Sequence, residues 1–409
     1  MESLSSRERM LAVLHYQEPD HVPLILNPFG FKPWWTTRPL KNQLDWAEAF
    51  LDFGLDAWLS IEPPLVFGPD VKVRQRTEKL PAEQWPCMIK EYETPAGVLR
   101  QEVYLTDDWV SEQWPEHRGG EPTVNLLDDY NVPRYRRCPI QNEQDLEKLK
   151  YLYPAIPDDR IGRFRLQAEE LAREAHHLGV LLRSSVSAGT DAAMWLCGPE
   201  NLLHMALDQP ELFENLLSII HVREKRNTQV LLDTPVDLVM RRGYYEGTTF
   251  WSPSIYRRFF MPRFKELTDI AHAGGKLMGY TMSVGYMPLL EIFAEIGYDM
   301  HYLLDPVTSG GRRADLARVK AVFDGKIAVI GALNEPVTLE QGSPRDIREE
   351  VFAAVRVLGP GGGLALAPAE AVYNFTPRES LETLFEAWKQ VRDYPLSGSV
   401  GPVDTIRNY

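Results

Sequence analysis

Residues 237–251 read DLVMRRGYYEGTTFW and join a short apolar run to a cluster of charged and phenolic side chains. The apolar run lacks strict alternation, which is typical of a strand buried on both faces of a parallel sheet. Two arginines, two tyrosines and a carboxylate follow it directly. A hydrophobic core does not need such groups, so the stretch predicts a buried strand whose end carries a function.

The same pattern recurs along the chain: a short apolar run, polar residues at its end, and then a stretch with helical spacing. The apolar runs lie at 21–27, 57–62, 180–187, 237–244, 276–282, 299–305, 326–332 and 363–368. Helical spacing follows at 44–54, 210–233, 288–297 and 344–359. Eight strand–helix units predict an α/β fold, a (β/α)₈ barrel of the TIM type, rather than an open doubly wound sheet. No GxGxxG follows the first run, which leaves a dinucleotide-binding fold without support.

One segment departs from this pattern. Residues 67–152, between the second and third predicted strands, are too many for a βα loop. They include two alternating runs at 88–105 around a Thr-Pro-Ala-Gly turn, which predicts a hairpin, and a short helix at 144–152. We expect a single barrel domain over 1–396 in which this insertion covers one barrel mouth, or alternatively decorates the surface at a dimer contact. A loose tail is expected at 397–409.

Charge and composition exclude several classes of protein. The net charge of −14 provides no basic field for nucleic acid. There is no run of eighteen apolar residues and no apolar core in the first residues, so neither a transmembrane helix nor a secretory signal is predicted. The three cysteines, Cys87, Cys138 and Cys197, are widely spaced, which predicts neither a disulfide framework nor a structural zinc site. We expect a cytoplasmic protein.

The active sites of such barrels lie at the C-terminal ends of the strands. In strand order, the polar and aromatic residues there are Asn27, Phe29, Trp34 and Trp35; Glu62; Arg183, Ser185 and Ser187; Arg241, Arg242, Tyr244, Tyr245, Glu246 and Trp251; Tyr280, Thr281 and Ser283; His301 and Asp305; Asn334 and Glu335; and Glu370, Tyr373 and Asn374. Carboxylates that share a pocket split their pKa values, and can so provide both an acid and a base.

From these residues we predict a site without a bound metal. The predicted catalytic residues are Glu246, Glu370, Tyr245 and Glu62. The predicted substrate-binding residues are Arg241, Arg242, Trp251, Tyr280, Thr281, Ser283, Asp305, Asn334, Tyr373, Asn374 and Trp35. A Mg²⁺ site built from Glu62, Glu246 and Glu370 has no support in their spacing.

Several of these residues also have a structural interpretation. Asp305 precedes a proline and Asn334 precedes Glu335 and Pro336, so both also fit caps of turns or helices. Arg241 or Arg242 fits either an anionic substrate group or a clamp on Glu246.

Five stretches of the sequence resemble the uroporphyrinogen decarboxylase superfamily, which also includes cobalamin-linked methyltransferases. They are SSRERMLAVLHYQEPDHVPL (5–24), FWSPSIYRRFFMPRFKELTDIAHAGG (250–275), PLLEIFAEIGYDM (288–300), KIAVIGALNEP (326–336) and GGGLALAP (361–368). The resemblance implies a (β/α)₈ barrel with its site at the C-terminal mouth. A homodimer is an expectation from this analogy alone.

The sequence departs from both branches of that superfamily. The resemblance implies an arginine-rich segment after strand one for porphyrinogen carboxylates, but NPFGFKPWWTT stands at 27–37, and Glu62 matches the expected aspartate only loosely. Thr281 and Ser283 stand at the positions of the HxC zinc ligands, and Glu370 lies near the position of the last cysteine. Neutral hydroxyls do not replace thiolate and imidazole on zinc, so the chain resembles a divergent branch without either motif.

Three functions remain open at this point. The resemblance favours a methyltransferase or demethylase that moves a methyl group from a small methoxylated or methylated substrate to a corrinoid on a partner protein. An acid such as Glu246, Glu370 or a tyrosine would protonate the leaving atom. The chain has no DxHxxG motif for cobalamin, so we expect no tightly bound cofactor.

The first alternative is a cofactor-independent decarboxylase, a lyase of a small carboxylate or porphyrinogen-like substrate. In it, Arg241 and Arg242 would hold the carboxylate, and Glu62 or Glu246 would protonate the carbanion. The second alternative is a non-catalytic ligand-binding barrel, against which the polar strand ends argue.

Overall fold

The computed structural model describes residues 3–107, 123–154, 156–308 and 311–396. The chain forms two compact units by its internal contacts. One unit consists of Met1–Glu62, Arg165–Ser185 and Leu231–Tyr409, and the other of Pro63–Phe164 and Val186–Val230. The domain boundaries and the covered mouth stay a prediction, and the tail expected at 397–409 lies outside the described residues.

The strands are given in chain order. They are β1 (Pro28–Phe29), β2 (Trp58–Ser60), β3 (Lys72–Glu78), β4 (Cys87–Thr94), β5 (Gly97–Tyr104), β6 (Tyr135–Arg137), β7 (Leu181–Ser187), β8 (Leu238–Arg242), β9 (Leu277–Thr281), β10 (Met300–Leu304), β11 (Ala328–Leu333), β12 (Leu364–Pro368) and β13 (Val372–Tyr373). Parallel strands of the first unit form one sheet in the order β12-β11-β10-β9-β8-β7-β2.

The segment before β1 closes this sheet into a barrel. Leu24 forms a parallel bridge with Leu366 of β12, and Ile25 forms one with Asp56, directly before β2. The predicted (β/α)₈ fold is confirmed. The regular strand predicted at 21–27 is wrong in detail, because only isolated bridges form there. Pro23 lacks the N–H that a continuous ladder needs.

The helices are also given in chain order. They are α1 (Ser6–Leu14), α2 (Gln43–Phe53), α3 (Glu143–Leu149), α4 (Asp158–Leu178), α5 (Thr190–Cys197), α6 (Pro199–Asp208), α7 (Pro210–Leu232), α8 (Pro253–Ile255), α9 (Met261–Ala273), α10 (Leu290–Ile296), α11 (Leu316–Phe323), α12 (Pro344–Leu358) and α13 (Arg378–Val391). One helix, α1, precedes all the strands, and the later helices include one at each of the four predicted stretches. Gly54 and Gly297 adopt left-handed conformations that end α2 and α10. No helix in the described ranges is long and apolar enough to cross a membrane.

The core of the first unit lies inside the barrel. Leu181, Leu238 and Met300 from three strands pack there with Met10 and Val13 of α1. Burial of each such side chain stabilises the fold by about 1.5–3 kcal/mol relative to exposure. With this part of the interior packed, we expect a substrate towards the C-terminal side of the strands, as in other barrels of this kind.

The second unit contains an antiparallel sheet in the order β3-β4-β5-β6. The predicted hairpin is confirmed, because β4 and β5 pair with Thr94 opposite Gly97. Gly97 has φ 117°, a value that favours glycine. The sequence did not indicate β3, since its side chains are mostly exposed and lack an apolar face.

Candidate active site

A polar cavity of about 130 Å³ lies within the first unit, among the barrel strands. Its lining residues come from the ends of the first segment and of β2, β7, β8, β9 and β10. They are Asn27, Ser60, Glu62, Arg183, Ser185, Met240, Arg242, Tyr244, Thr281 and Tyr302. Two guanidinium groups and one carboxylate therefore share a small space with five hydroxyl groups. This composition suits an anionic polar ligand rather than an apolar one.

Arg183 is held in place by its neighbours on β2. In the sheet register Arg183 lies opposite Ser60, and its Nε donates to the Ser60 hydroxyl at 2.9 Å. Its guanidinium carbon lies 4.2 Å from the centroid of the Trp58 ring and 5.4 Å from that of Tyr302. Stacking and one hydrogen bond fix the plane of the group and leave it directed at the cavity.

Arg242 reaches the cavity because of its position on β8. Side chains of a strand alternate between two faces, and Met240, Arg242 and Tyr244 all line the cavity. Thr281, which pairs with Arg242 in the register of β8 and β9, lines it too. The Arg242 guanidinium lies 5.0 Å from the centroid of the Tyr244 ring. Arg242 and Thr281 were predicted from the sequence as substrate-binding residues.

Arg241 belongs to the opposite face of the same strand and does not line the cavity. Its two terminal nitrogens donate to the two oxygens of Glu246 at 2.6 and 2.8 Å. The Arg241 side chain is 2% exposed and that of Glu246 is 0% exposed. Tyr280, which pairs with Arg241 in the register, also donates to Glu246. Glu246 is therefore a buried, fully engaged carboxylate.

Gly243 makes this buried cluster possible. A Cβ at this position would meet the Tyr280 hydroxyl at 2.4 Å, so any larger residue would push Tyr280 from Glu246. The short 3₁₀ turn Tyr244–Glu246 then directs the carboxylate back onto Arg241. The prediction of Glu246 as an acid or base stays untested, but its position favours a role in holding β8 and β9.

Tyr302 stands on an irregular part of β10. Leu303 follows with φ 64°, an unfavourable value for leucine, and the register shifts between Tyr302 and Leu304. Burial raises the pKa of the Tyr302 phenol, Glu370 adds to the rise and Arg183 opposes it. The phenol therefore stays protonated at neutral pH and can donate a proton or a hydrogen bond. Glu370 acts on the cavity through Tyr302 although it does not line it.

Asp305 and Asn334 form a buried pair on neighbouring strand ends. The Asn334 amide nitrogen donates to both Asp305 oxygens at 2.9 and 3.0 Å, and its oxygen accepts from the backbone of Val337 and Thr338. Asp305 also accepts from the Val307 amide. Burial raises the pKa of Asp305 to about 6. Both residues thus cap local turns, as their structural interpretation predicted.

Glu335, which follows Asn334 in the chain, is another buried carboxyl group of this region. Burial raises the pKa of Glu335 to about 8, helped by Glu340 and Glu370, while a hydrogen bond from Thr376 at 2.7 Å opposes the rise. Glu335 therefore holds its proton more tightly than an ordinary glutamate does. Burial also raises the pKa of Tyr373 to about 12, again with a contribution from Glu370.

The other predicted residues do not line the cavity. The Trp251 indole donates to the backbone of Tyr245 at 2.6 Å, and the Ser283 hydroxyl donates to the backbone of Ala369 at 3.2 Å. Trp35 stacks on Phe53 of α2 with ring centroids 4.3 Å apart. The remaining three are Tyr245, whose ring centroid lies 5.6 Å from that of Phe250, Tyr373, which stacks on Phe375, and the exposed Asn374.

Sequence reasoning placed Glu62, Arg242 and Thr281 at the site, and all three line the cavity. Asn27, Arg183, Ser185 and Tyr244 were recognised as strand ends but not chosen. Ser60, Met240 and Tyr302 were missed. For Met240 and Tyr244 a signal was available in the sequence. They stand two residues before and after Arg242, and residues two apart on a strand share a face.

Metal ligation has no candidate cluster in the parts of the chain that the structure describes. Within those ranges, no three His, Cys, Asp or Glu side chains are arranged to hold a metal ion. His301 is buried between other groups, with its ring nitrogens against the Met282 carbonyl and the Tyr298 hydroxyl. Burial lowers the pKa of His301 to about 4, so the imidazole is neutral.

Comparison with known proteins connects this chain to one family. The family described as uroporphyrinogen decarboxylase (URO-D) matches residues 123–391, more than half of the chain. No curated protein has a sequence that matches the chain.

The chain is also similar to several solved structures. A methyltransferase from Methanosarcina mazei is similar with a TM-score of 0.52 and 15% identity, over 95% of this chain and 99% of that one. A 3-keto-D-glucoside 4-epimerase from E. coli has a TM-score of 0.35 and 12% identity, over 55% and 85%. A D-psicose 3-epimerase from Clostridium cellulolyticum has 0.32 and 12%, over 60% and 90%. At 15% identity, the first likeness shows a shared fold.

Proposed function

The chain belongs to the uroporphyrinogen decarboxylase family, and on that premise we propose that it is a methyltransferase for a small carboxylate. The methyl acceptor would be a corrinoid carried by a separate protein. The observation that carries the proposal is the small polar cavity in which Arg183 and Arg242 face the same space as Glu62.

The two arginines support a carboxylate as the substrate's fixed end. A guanidinium group binds a carboxylate through charge-assisted, often bidentate hydrogen bonds. The cavity of about 130 Å³ is small, and it therefore suits a substrate of only a few non-hydrogen atoms. A tetrapyrrole is far larger than this, which argues against a porphyrinogen substrate.

The same arginines argue against decarboxylation of the carboxylate that they hold. Catalysis requires interactions that are stronger in the transition state than in the ground state. Loss of CO₂ moves the negative charge from the carboxylate to carbon, so arginines on the carboxylate stabilise the ground state more. A carboxylate held in this way serves better as a handle, with the reaction on another part of the substrate.

Transfer of a methyl group then needs a proton for the leaving atom. The bond between the methyl carbon and oxygen or nitrogen breaks, and its electron pair stays on that oxygen or nitrogen. The electron pair for the new bond to the methyl carbon would have to come from the acceptor. We assign the proton to Tyr302, whose raised pKa keeps it protonated, with Tyr244 as a second phenol in the lining.

A corrinoid would supply a strongly nucleophilic cobalt as the acceptor. It is far larger than the cavity, so the residues described above do not fit a resident corrinoid. The cavity residues would hold the small methyl donor.

The test is a transfer assay with free cob(I)alamin as a substitute acceptor and methoxyacetate or N,N-dimethylglycine as donor. We expect absorbance of methylcobalamin to appear with the protein and a donor. Methoxyacetamide, which has the size of methoxyacetate but no charge, should react at least tenfold more slowly, a difference of about 1.4 kcal/mol. Release of CO₂ from either acid without the acceptor would contradict methyl transfer and support the lyase.

A further inference from the structure

Arg223 of α7 is a buried cation in the second unit. Its side chain is 6% exposed, and Nη2 donates to the backbone oxygen of Pro64 at 3.1 Å. Its other terminal nitrogen, Nη1, has no hydrogen-bond partner among the described residues. The neighbouring carboxylate, Glu224, lies 3.7 Å from a ring nitrogen of His221 instead. Buried arginines are normally paired with a carboxylate, so this one calls for a counter-ion.

Tyr153 provides a second buried donor beside it. The guanidinium carbon of Arg223 lies 5.2 Å from the centroid of the Tyr153 ring. The Tyr153 hydroxyl, on a residue that is 7% exposed, also has no hydrogen-bond partner within the described part of the chain. Burial lowers the pKa of Arg223, an effect that Tyr153 opposes, and burial raises the pKa of Tyr153.

We propose that Arg223 and Tyr153 form a binding site for a small oxyanion, a carboxylate or a phosphate. An oxyanion would accept from the free Nη1 of the arginine and from the phenol at once. It would also neutralise the buried charge, whereas the ring of Tyr153 only attracts the cation without neutralising it. Arg223, Tyr153 and Pro64 all belong to the second unit, and none of them lines the barrel cavity. The site is therefore separate from the proposed methyl transfer.

A buried water molecule is the competing explanation. Water would satisfy the two donors but would leave the positive charge without a counter-ion. The two explanations differ in how stability responds to anions. A water site is indifferent to the salt that is present, whereas an oxyanion site stabilises the folded protein as the oxyanion concentration rises.

Thermal unfolding of the full chain tests the site, with chloride, acetate and phosphate compared at equal ionic strength and neutral pH. We expect phosphate or acetate to raise the Tm of the unmodified protein by roughly 2–4 °C relative to chloride. Arg223→Met should remove the part of that rise that this site provides, and Tyr153→Phe should reduce it. Arg226→Met, which removes the same charge from the same helix, should keep it. The stronger of the two salts identifies the oxyanion.

The barrel cavity also attracts carboxylates, so the same series is repeated in Arg242→Met protein. The part of the rise that depends on Arg223 should survive there, even if methyl transfer by the cavity proves wrong. An unchanged rise in Arg223→Met would overturn the proposal. If Arg223→Met does not fold, Tyr153→Phe keeps the ring and its packing, and an unchanged rise in that variant overturns it equally.

Discussion

Arg241 and Arg242 are neighbours in the chain, yet the fold uses them in opposite ways. Arg241 lies on the outer face of β8 and holds Glu246 with two hydrogen bonds in a site without solvent. Arg242 lies on the inner face and lines the cavity. The partners follow the same division, since Tyr280 faces Arg241 and Thr281 faces Arg242 in the register. Which face of the strand a residue occupies, rather than its charge, decides whether it is held in the barrel wall or lines the cavity.

The largest effect should come from breaking the outer pair. Arg241→Met leaves Glu246 buried without its counter-ion, and we expect the free energy of unfolding to fall by about 3–5 kcal/mol. Urea unfolding followed by circular dichroism measures the change. A loss below about 1 kcal/mol would show that Glu246 is not locked and would return it to the candidates for catalysis.

The inner arginine should give the opposite result. Arg242→Met removes a charge from the cavity, and we expect kcat/KM for methyl transfer to fall by about 100-fold, or roughly 2.7 kcal/mol. The free energy of unfolding should change by no more than about 0.5 kcal/mol, as for other side chains that are not part of the packed core. Kinetics and urea unfolding on one preparation check both. Lost stability with retained activity would reverse the roles of the two arginines.

Glu350 extends the comparison to a buried carboxylate whose hydrogen bonds and ion pair do not fully offset the cost of its burial. Its carboxylate accepts hydrogen bonds from the backbone N–H of Asn334, from the Thr338 hydroxyl and from Arg313, whose side chain is 45% exposed. Burial raises the pKa of Glu350 to about 7 from an ordinary value of 4.5. The folded protein therefore binds more protons than the unfolded chain between about pH 4.5 and pH 7. Stability from this group is present at low pH and is lost as the pH rises through that window.

We expect the free energy of unfolding of the unmodified protein to fall by on the order of 2 kcal/mol through Glu350 between pH 5 and pH 8. Asp305 and Glu335, whose pKa values are also raised, add slopes of the same sign. Glu350→Gln should flatten the profile by its own share, while the adjacent Glu349→Gln should not. Identical slopes in both variants would contradict a raised pKa of Glu350.

The smallest effect should come from an exposed copy of the outer pair. Arg257 and Glu295 form the same two-bond geometry, at 2.7 and 2.8 Å, but their side chains are 50% and 48% exposed. Water screens such a pair, so Glu295→Gln should leave the urea midpoint close to that of the unmodified protein. A cost equal to that of Arg241→Met would mean that burial is not what distinguishes the two pairs.

The sequence was sufficient for the barrel because apolar runs and helical spacing alternate over most of the chain. It also singled out Glu62 and Arg242, which line the cavity, while their roles in it stay a prediction. It could not separate Arg241 from Arg242, because an apolar run without alternation does not reveal which face is inside. The position of the Glu246 side chain depends on a 3₁₀ turn and on the space beside Gly243 that Tyr280 fills. The local sequence indicates neither of them.

Tyr302 and Trp35 show two further results that the sequence could not predict: Tyr302 lines the cavity and was missed, and Trp35 was predicted there but packs elsewhere. Tyr302 lines the cavity beside a bulge that shifts the register of β10, and a bulge of this kind is set by tertiary packing. Trp35 follows the first strand in the chain, yet it packs against α2 because an aromatic cluster of Phe31, Phe50 and Phe53 surrounds it there.

The most direct test of the account is a calorimetric titration of methoxyacetate and methoxyacetamide into the unmodified protein and into Arg242→Met. We predict that the unmodified protein binds the acid at least tenfold more tightly than the amide. That preference should disappear in Arg242→Met, because the inner arginine is the group that recognises the charge. Equal affinities for acid and amide in the unmodified protein, or a preference that survives in Arg242→Met, would contradict the account.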